Sequence, residues 1–487
     1  MIIVSITGPR MSDALDQVQA STPWADMFEF RLDLIRGPEL ATLLLSTVRP
    51  AIVTCRPVWE GGAYRGREQD RLALLAGASL LGAEYVDIEL RAGRRALAEF
   101  LGRKRESGVI VSYHARRGER PRPGALYRRM RGTGADVLKF AFHATDAWEN
   151  RIAFDFLSAA ARDGRRAVAI AMGEAGEPSR ILYRVFGGWG TYAAAASGPA
   201  AAPGQIPARE LAEIYRARRL TPSTAIFGVV GNPVRQSKGV LVHNPLFARA
   251  ARNAVYCRFA VADLRKFFVH LAPLLKGFSV THPHKIAVAR FLAGTDRVAR
   301  AIGAVNTVVR RGGKLVGTNT DAPAALDAIE RVAAVRGKTM LIAGTGGAAR
   351  AIAFEASRRG ALVIVTGRNA PRARALAREF GLRFVARDEW GAIAPDFLVN
   401  ATTVGMAPRT HASPFPRSML ARRVVFDAVY NPPVTRLLAD AAAAGARIIR
   451  GTEMYVNQAA RQFALYARVR PSMRLMKRLL DESMEAS

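Results

Sequence analysis

Lysine is scarce in the first 219 residues, which hold only Lys104 and Lys139. Lys139 interrupts the apolar run Val137–Phe142, so a strand there puts its amine among buried groups. An amine withdrawn from water beside other cations has a depressed pKa and becomes a nucleophile towards a ketone. His114 closes a second β-branched run, Val109–His114, and can carry the protons such chemistry moves. Along Glu29-Phe30-Arg31-Leu32-Asp33 the charges alternate with apolar residues, so in a strand all three point to one side. A lysine that snorkels from a strand end, and an edge strand with surface ion pairs, are the plainer alternatives.

A second constellation lies downstream. Leu341-Ile-Ala-Gly344-Thr-Gly346-Gly347-Ala348-Ala349 follows a strand and opens a helix, fitting G-x-G-x-x-G/A with Ala349 third. Such glycines let backbone approach a pyrophosphate, whose charge the helix N-terminus stabilises. The next strand, Leu362–Thr366, runs into Gly367-Arg368-Asn369 with no acidic residue. A carboxylate there would bind the ribose 2′-OH of NAD, whereas Arg368 with Arg372 suits the 2′-phosphate of NADP. Arg372 also reads as an ordinary helix-facing arginine. Val280-Thr281-His-Pro-His-Lys285 and Asn319-Thr-Asp321 set a lysine and an aspartate at two helix starts. The two could pair across a cleft, one donating a proton to an alkoxide; two capping residues are the alternative.

The elements that position these groups alternate short β-branched runs with helical stretches. The runs are Ile2–Thr7, Phe28–Leu34, Ala51–Arg56, Tyr85–Leu90, Val109–His114, Val137–Phe142, Ala167–Met172 and Gly188–Ala194. Eight such units point to an α/β (β/α)8 barrel, a TIM barrel, over residues 1–219, whose active site lies at the C-terminal strand ends. The stretch Ala193–Pro207 then precedes a last helix, Ala208–Arg219, and Leu220–Ser223 reads as a linker. The second half reads as two lobes. Residues 220–335, completed by 450–487, form a substrate-binding domain, with strands Ala225–Val230, Val255–Ala260 and Phe278–Thr281 and a hairpin at Ala304–Thr318. Residues 336–449 form a Rossmann domain. The last helix, Glu453–Arg468, is expected to fold back on the earlier lobe.

The chain has 487 residues, 50% hydrophobic and 23% charged, which excludes disorder and allows two to four domains. Cys55 and Cys257 are too few and too far apart for a disulfide framework or zinc ribbon. No apolar run is long enough to span a membrane, and Met1 leads straight into a strand, so the expected location is cytoplasmic. The formal charge of +32 invites a nucleic-acid reading, but only nine of the 72 basic residues are lysine and no RNA-binding or zinc-finger motif accompanies them. Residues 1–219 carry 32 basic against 24 acidic residues, net +8; residues 220–487 carry 40 against 16, net +24. No nucleic acid and no metal are expected as partners, and oligomeric state is left open.

The first half resembles the type I 3-dehydroquinate dehydratases. The resemblance rests on Glu29-Phe-Arg31-Leu-Asp33, Thr54-Cys-Arg56-Pro-Val-Trp-Glu60-Gly61-Gly62, Asp87-Ile-Glu89, Ser112-Tyr-His114, Ala135-Asp-Val-Leu-Lys139, Met172-Gly173 with Ser179-Arg180, and Pro203-Gly204-Gln205. It implies that Lys139 forms an imine with the C3 ketone of 3-dehydroquinate, that His114 moves the C2 proton, and that Glu60 orients His114. It further implies that Arg180 holds the substrate carboxylate, while Glu29, Arg31, Arg56 and Gln205 contact hydroxyls or shape the pocket. Ala201 stands where the family usually has serine, which removes one hydroxyl contact.

Residues 225–480 resemble the shikimate dehydrogenases, on Gly231-Asn-Pro-Val-Arg-Gln-Ser237-Lys-Gly239 with His243-Asn244, Val280-Thr281-x-Pro-x-Lys285, Gly303-Ala-Val-Asn306-Thr307, Asn319-Thr320-Asp321, Asn400-Ala-Thr-Thr-Val-Gly405-Met406, Asp427-Ala-Val-Tyr430-Asn431-Pro432 and Gln458. The resemblance implies that Lys285 and Asp321 are the acid/base pair. It assigns Ser237 to the substrate carboxylate, and Thr281, Asn306, Tyr430 and Gln458 to the remaining substrate contacts. It places NADP(H) on Gly344, Gly346, Gly347, Ala348, Arg368, Asn369, Arg372 and Gly451. Gly239 replaces a second carboxylate-binding serine of many members, and Gly367 and Asn369 replace the usual Asn and Thr beside Arg368. The first activity's product, 3-dehydroshikimate, is the second's substrate, so one chain is expected to carry both steps to shikimate, an arrangement resembling the fused enzymes of plants and some bacteria. The alternatives are a dehydratase fused to a quinate/shikimate dehydrogenase working in the degradative direction, and a basic binding protein on a decayed scaffold.

Overall fold

The computed structural model describes residues 1–102, 107–119 and 122–485. Lys104 lies outside the described residues. The chain divides into two compact units, residues 1–226 with 253–274, and residues 227–252 with 275–487.

In the first unit eight parallel strands, β1 (Ile2–Ile6), β2 (Met27–Arg31), β3 (Ala51–Thr54), β4 (Tyr85–Glu89), β5 (Gly108–His114), β6 (Val137–His143), β7 (Arg166–Met172) and β8 (Thr191–Ala194), lie in the order β7-β6-β5-β4-β3-β2-β1-β8. Across the remaining seam, Trp189 N–H donates to the Ala167 carbonyl at 2.8 Å, so the barrel is nearly closed. Parallel strands with helical crossovers bury both faces, which is why these segments are rich in Ile, Val and Phe.

The interior is layered by the two-residue period of the strands. Ile3, Met27, Ile52, Tyr85, Ile110, Val137, Val168 and Tyr192 belong to one buried apolar cluster. Two residues further along six of these strands stand Ser5, Glu29, Thr54, Asp87, Ser112 and Lys139, all buried. An apolar floor therefore supports a polar layer nearer the C-terminal ends, where barrel enzymes place their chemistry.

Two expectations are corrected in this unit. The strand containing Glu29 and Arg31 stops at Arg31, and Asp33 lies in the turn beyond it, although its carboxylate still returns to Arg31 at 2.7 Å. The single helix expected over 208–219 is interrupted. Its centre is a π-helical turn at Glu210–Ile214, and Arg216 adopts φ 51°, which ends the turn before a short 3-10 segment at Ala217–Arg219.

The second unit holds two sheets. In the first, strand Leu275–Val280 pairs antiparallel with Thr307–Arg311, which forms a hairpin with Lys314–Thr318. The other sheet is wholly parallel, in the order 383–384, 362–366, 339–343, 397–400, 424–427, 447–449. Numbered along the chain that is 3-2-1-4-5-6, the doubly wound order, with its reversal of direction between Thr339–Ala343 and Phe397–Asn400. Alternate strand residues feed two cores: Met340 and Ile342 pack on one face, Leu341 and Ala343 on the other. Helix Gly451–Ala467 runs back to the first sheet, where Gln462 bonds to Ser279 and Thr307, but it is not the last helix as expected: a further one, Met473–Glu485, follows it. No helix among the described residues is long and apolar enough to cross a membrane.

Candidate active sites

The polar layer of the barrel is a network of paired charges. Lys139 Nζ lies 3.0 Å from Glu29 Oε1 and 2.9 Å from Asp87 Oδ2, and 3.9 Å from the centre of the Tyr192 ring. Arg56 reaches Asp87 at 3.0 Å, Glu89 at 2.6 Å and the Ser112 hydroxyl at 2.8 Å. The fully buried Arg71 reaches the other oxygen of Glu89 at 2.7 Å. Three carboxylates thus face three cations, as buried charges require.

This arrangement corrects the expected depressed pKa of Lys139. Burial alone would lower it, but the Asp87 and Glu29 carboxylates outweigh both burial and the Arg56 charge, and the pKa is raised. The resting amine is an ammonium. Its neighbours were expected to be cations; the strand register brings carboxylates from β2 and β4 onto it instead.

His114 ends β5 and holds the opposite balance. Burial, with the charges of Arg56 and Lys139, pushes its pKa well below 6.5, so the imidazole is neutral and able to accept a proton. Glu60, on the short turn Val58–Glu60 after β3, accepts the His114 backbone N–H at 2.7 Å and lies 3.3 Å from Nδ1. Burial raises the Glu60 pKa to about 7 against the pull of Arg56. A carboxylate on Nδ1 favours the tautomer whose Nε2 lone pair is free.

Arg180, on the helix Glu177–Ile181, is buried and donates to two backbone carbonyls, of Tyr192 at 3.1 Å and Pro203 at 3.3 Å. Its Nε has no partner among the described residues, and burial lowers its pKa to about 10 with no carboxylate opposing the shift. A buried guanidinium without a counter-charge is a receptor for an anion. Gln205 accepts from the Ala201 N–H at 2.8 Å and reaches the Ser5 hydroxyl at 3.4 Å, so Ala201 contributes its backbone where a serine side chain was expected.

In the second unit Lys285 Nζ lies 2.6 Å from Asp321 Oδ2, bringing together two residues 36 positions apart. Asp321 begins the helix Asp321–Glu330, and its N–H is accepted by Asn319 Oδ1 at 3.0 Å. Its second oxygen, Oδ1, accepts from Asn306 Nδ2 at 2.8 Å. The aspartate is thus a helix-start residue and also a charged partner of Lys285. Thr281 follows strand Leu275–Val280, and Ser237 and Gly239 stand at the entry to helix Gly239–Arg249. The Tyr430 ring packs against Tyr455 at 4.8 Å, and Gln458 lies half-buried on helix Gly451–Ala467.

The glycine-rich turn leaves strand Thr339–Ala343 and enters helix Gly347–Arg358, with Gly346 as its N-cap and Ala348 in its first turn. Gly344 has φ 132°, and a Cβ there would meet the Ala401 carbonyl oxygen at 2.8 Å. A Cβ on Gly347 would stand 2.8 Å from Lys285 Cβ, so the turn and the catalytic candidate are in contact. Arg368 and Arg372 are exposed, and Asn369 caps helix Ala370–Phe380 by accepting the Arg372 N–H at 3.0 Å. Gly451 opens helix Gly451–Ala467. A bare helix N-terminus, a close-approach turn and two exposed arginines at the second strand end fit a phosphorylated dinucleotide.

The structure adds residues that motif reading left without a role: Asp87 as a counter-ion of Lys139, Arg71 behind Glu89, and Thr307 and Gln462 behind Asn306. The alternation Asp87-Ile88-Glu89 was a usable signal, identical in form to Glu29-Phe30-Arg31.

The Type I 3-dehydroquinase family matches residues 2–222, and the shikimate dehydrogenase substrate binding domain matches residues 229–308. The bifunctional 3-dehydroquinate dehydratase/shikimate dehydrogenase, chloroplastic, of Arabidopsis thaliana is 35% identical over 95% of this chain and 81% of its own. A shikimate biosynthesis protein of Chlamydia pneumoniae is 29% identical over 96% of this chain and 95% of its own. The crystal structure of shikimate dehydrogenase from Aquifex aeolicus superposes with a TM-score of 0.51 at 31% identity, covering 53% of this chain and 98% of that one. A shikimate dehydrogenase solved in complex with NADP+ gives the same TM-score at 34% identity, covering 54% and 97%. With a relative of this similarity along nearly its whole length, the chain belongs to the family of bifunctional 3-dehydroquinate dehydratase/shikimate dehydrogenases.

Proposed function

We propose that the barrel dehydrates 3-dehydroquinate through an imine on Lys139, and that Lys285 and Asp321 serve the reduction of the resulting 3-dehydroshikimate to shikimate with NADPH. The observation that carries the reading is a neutral, half-buried His114 on β5, two residues beyond Ser112, which is in register with the buried Lys139 on the adjacent strand β6.

In the first step Arg180 receives the substrate carboxylate. Lys139 gives up a proton, its nitrogen attacks the C3 carbonyl carbon, and the carbonyl oxygen departs as water, leaving a protonated imine. The iminium acidifies C2, and the neutral His114 removes a proton from it. The electron pair then expels the C1 hydroxyl, which leaves as water with the proton from His114. Hydrolysis of the imine returns the amine and releases 3-dehydroshikimate, for a net loss of one water. Glu60 supports the imidazolium formed in between, as the third member of such an arrangement does.

NADPH, when bound, supplies the hydride. Gly344, Gly346 and Gly347 offer backbone to its pyrophosphate, and Arg368 with Arg372 offer charge to its 2′-phosphate. Lys285 donates a proton to the alkoxide oxygen, and Asp321, 2.6 Å from its amine, orients it. Ser237, Thr281, Tyr430 and Gln458 are assigned to the substrate's carboxylate and hydroxyls. Shikimate is favoured over a degradative quinate role because the Arabidopsis thaliana and Chlamydia pneumoniae relatives, which match nearly the whole chain, are named for shikimate. The two intact clusters count against a decayed scaffold.

The test supplies purified protein with 3-dehydroquinate and NADPH. Lys139→Ala should abolish NADPH consumption from 3-dehydroquinate and spare turnover of added 3-dehydroshikimate. Asp321→Asn should do the reverse and let 3-dehydroshikimate accumulate. Borohydride added with 3-dehydroquinate should leave a covalent adduct on the Lys139 peptide; dehydration without any such adduct overturns the imine.

A further inference from the structure

The donor and acceptor pattern behind Asp321 has a fixed direction. Gln462 is buried on helix Gly451–Ala467, and its Oε1 accepts from the Ser279 hydroxyl at 3.0 Å. It also shares a hydrogen bond with His243. Its Nε2 therefore faces the other way, donating to Thr307 Oγ1 at 3.0 Å and to the Asn306 carbonyl at 3.3 Å. A threonine hydroxyl has one proton. With Gln462 Nε2 donating to one of its lone pairs, Thr307 directs that proton to Asn306 Oδ1 at 2.8 Å, a shorter contact than the one to the Thr320 hydroxyl at 3.3 Å. The Thr320 N–H donates to the same oxygen at 2.8 Å. With Oδ1 so occupied, Asn306 presents its amide Nδ2 to Asp321 Oδ1, and Asp321 gives its other oxygen to Lys285.

We infer that Gln462 is a positioning residue for the dehydrogenase step: through Thr307 it sets which face of the Asn306 amide meets Asp321, and so orients the carboxylate that holds Lys285. The inference rests on the dehydrogenase reading above and deepens it. Gln462 touches neither the Lys285 amine nor Asp321 and acts only through Thr307 and Asn306. Its neighbour one turn earlier, Gln458, is the residue the family resemblance assigns to substrate, so the two glutamines divide between contact and support.

The test uses the full chain, with shikimate and NADP+ and with dehydration of 3-dehydroquinate as an internal control of folding. Gln462→Ala is expected to lower kcat for shikimate oxidation roughly fivefold to tenfold, as expected for one hydrogen bond in a chain, with KM for shikimate changed less than twofold. Thr307→Val should reproduce the loss, Thr307→Ser should restore it, and the Gln462→Ala/Thr307→Val pair should lose no more than either alone, since both remove one path. Full additivity, or a Gln462→Ala enzyme with wild-type kcat, overturns the relay. A fall in both activities together assigns Gln462 to stability alone and equally overturns it. Wild-type protein with no shikimate oxidation at all overturns the dehydrogenase reading itself, which the other outcomes leave standing.

Discussion

Lys139 Nζ lies 2.9 Å from Asp87 Oδ2, inside a barrel where the two residues come from strands β6 and β4. The contact stabilises the ammonium and so opposes the very form that attacks a ketone. Removing it should free the amine. In Asp87→Asn the burial that lowers the Lys139 pKa persists while one opposing carboxylate is gone. Each unit of the resulting fall gives about tenfold more uncharged amine at a given pH below the pKa. Reductive methylation of Lys139 by formaldehyde and borohydride, followed on its peptide by mass spectrometry, should therefore accelerate at pH 8 in this variant. An unchanged rate would mean that Asp87 does not control the amine.

Glu60 makes a second prediction, about pH. Its carboxyl titrates near 7 because burial raises it, and only the ionised form accepts strongly from His114 Nδ1–H. The acid limb of kcat/KM for dehydration should accordingly fall near pH 7, because that ratio reports groups of the free enzyme. Glu60→Gln should be slow and flat between pH 6 and 8. Stability provides an independent sign. A raised folded pKa favours the fold fully below the ordinary value of 4.5, and that contribution is lost as pH rises through 7. The Tm of Glu60→Gln relative to wild type should therefore improve from pH 5 to pH 8. A Tm difference independent of pH would contradict the assignment.

The contrast between Lys139 and His114 also marks where sequence reading ends. The eight strands were legible because alternation and β-branching are local, and strand ends fell within a few residues of their observed places. So was the pairing of Lys285 with Asp321, because family motifs carried it. The charge on Lys139 was not legible, since it depends on the barrel register that sets Glu29 and Asp87 around it. The helix break at Arg216 depends on one left-handed residue that no composition signals. Residues 253–274 fall within the stretch matched by the dehydrogenase substrate-binding domain, yet they pack in the first compact unit. There Arg258 reaches Glu177 at 3.3 Å, a non-local contact without a sequence signal.

Gly347 offers a steric test of the dehydrogenase site. A methyl at this position would stand 2.8 Å from Lys285 Cβ and 3.1 Å from Cδ, so the lysine or the helix start must move. Displacement of a catalytic group by about 1 Å costs on the order of a hundredfold in rate. Gly347→Ala should lose reduction of 3-dehydroshikimate on that scale, measured by NADPH absorbance, while dehydration of 3-dehydroquinate stays at the wild-type rate. Gly346→Ala has open space around the new methyl and should be far milder with respect to Lys285. Equal losses in the two variants would place the effect in the nucleotide-binding turn and not in the lysine contact.

The proposed cofactor preference rests on the end of strand Leu362–Thr366, where Arg368 is exposed and the following Asn369 caps a helix. The NADP reading assigns the 2′-phosphate to this arginine and to Arg372. A charge-assisted hydrogen bond contributes about 1.5–3 kcal/mol, and 1.4 kcal/mol is tenfold in affinity. Arg368→Ala should thus weaken NADPH binding about tenfold to a hundredfold, measured by fluorescence titration, and leave NADH binding nearly unchanged because NADH has no phosphate to lose. Arg368→Glu should go further and place a carboxylate where a 2′-hydroxyl can donate to it, shifting preference towards NADH. Substitution of Asn369 by Ala should instead weaken the helix start by about 1 kcal/mol and lower Tm without changing the ratio of the two affinities. If Arg368→Ala weakens both nucleotides equally, the arginine serves the pyrophosphate or the fold, and the selectivity for NADP must reside elsewhere along the crevice.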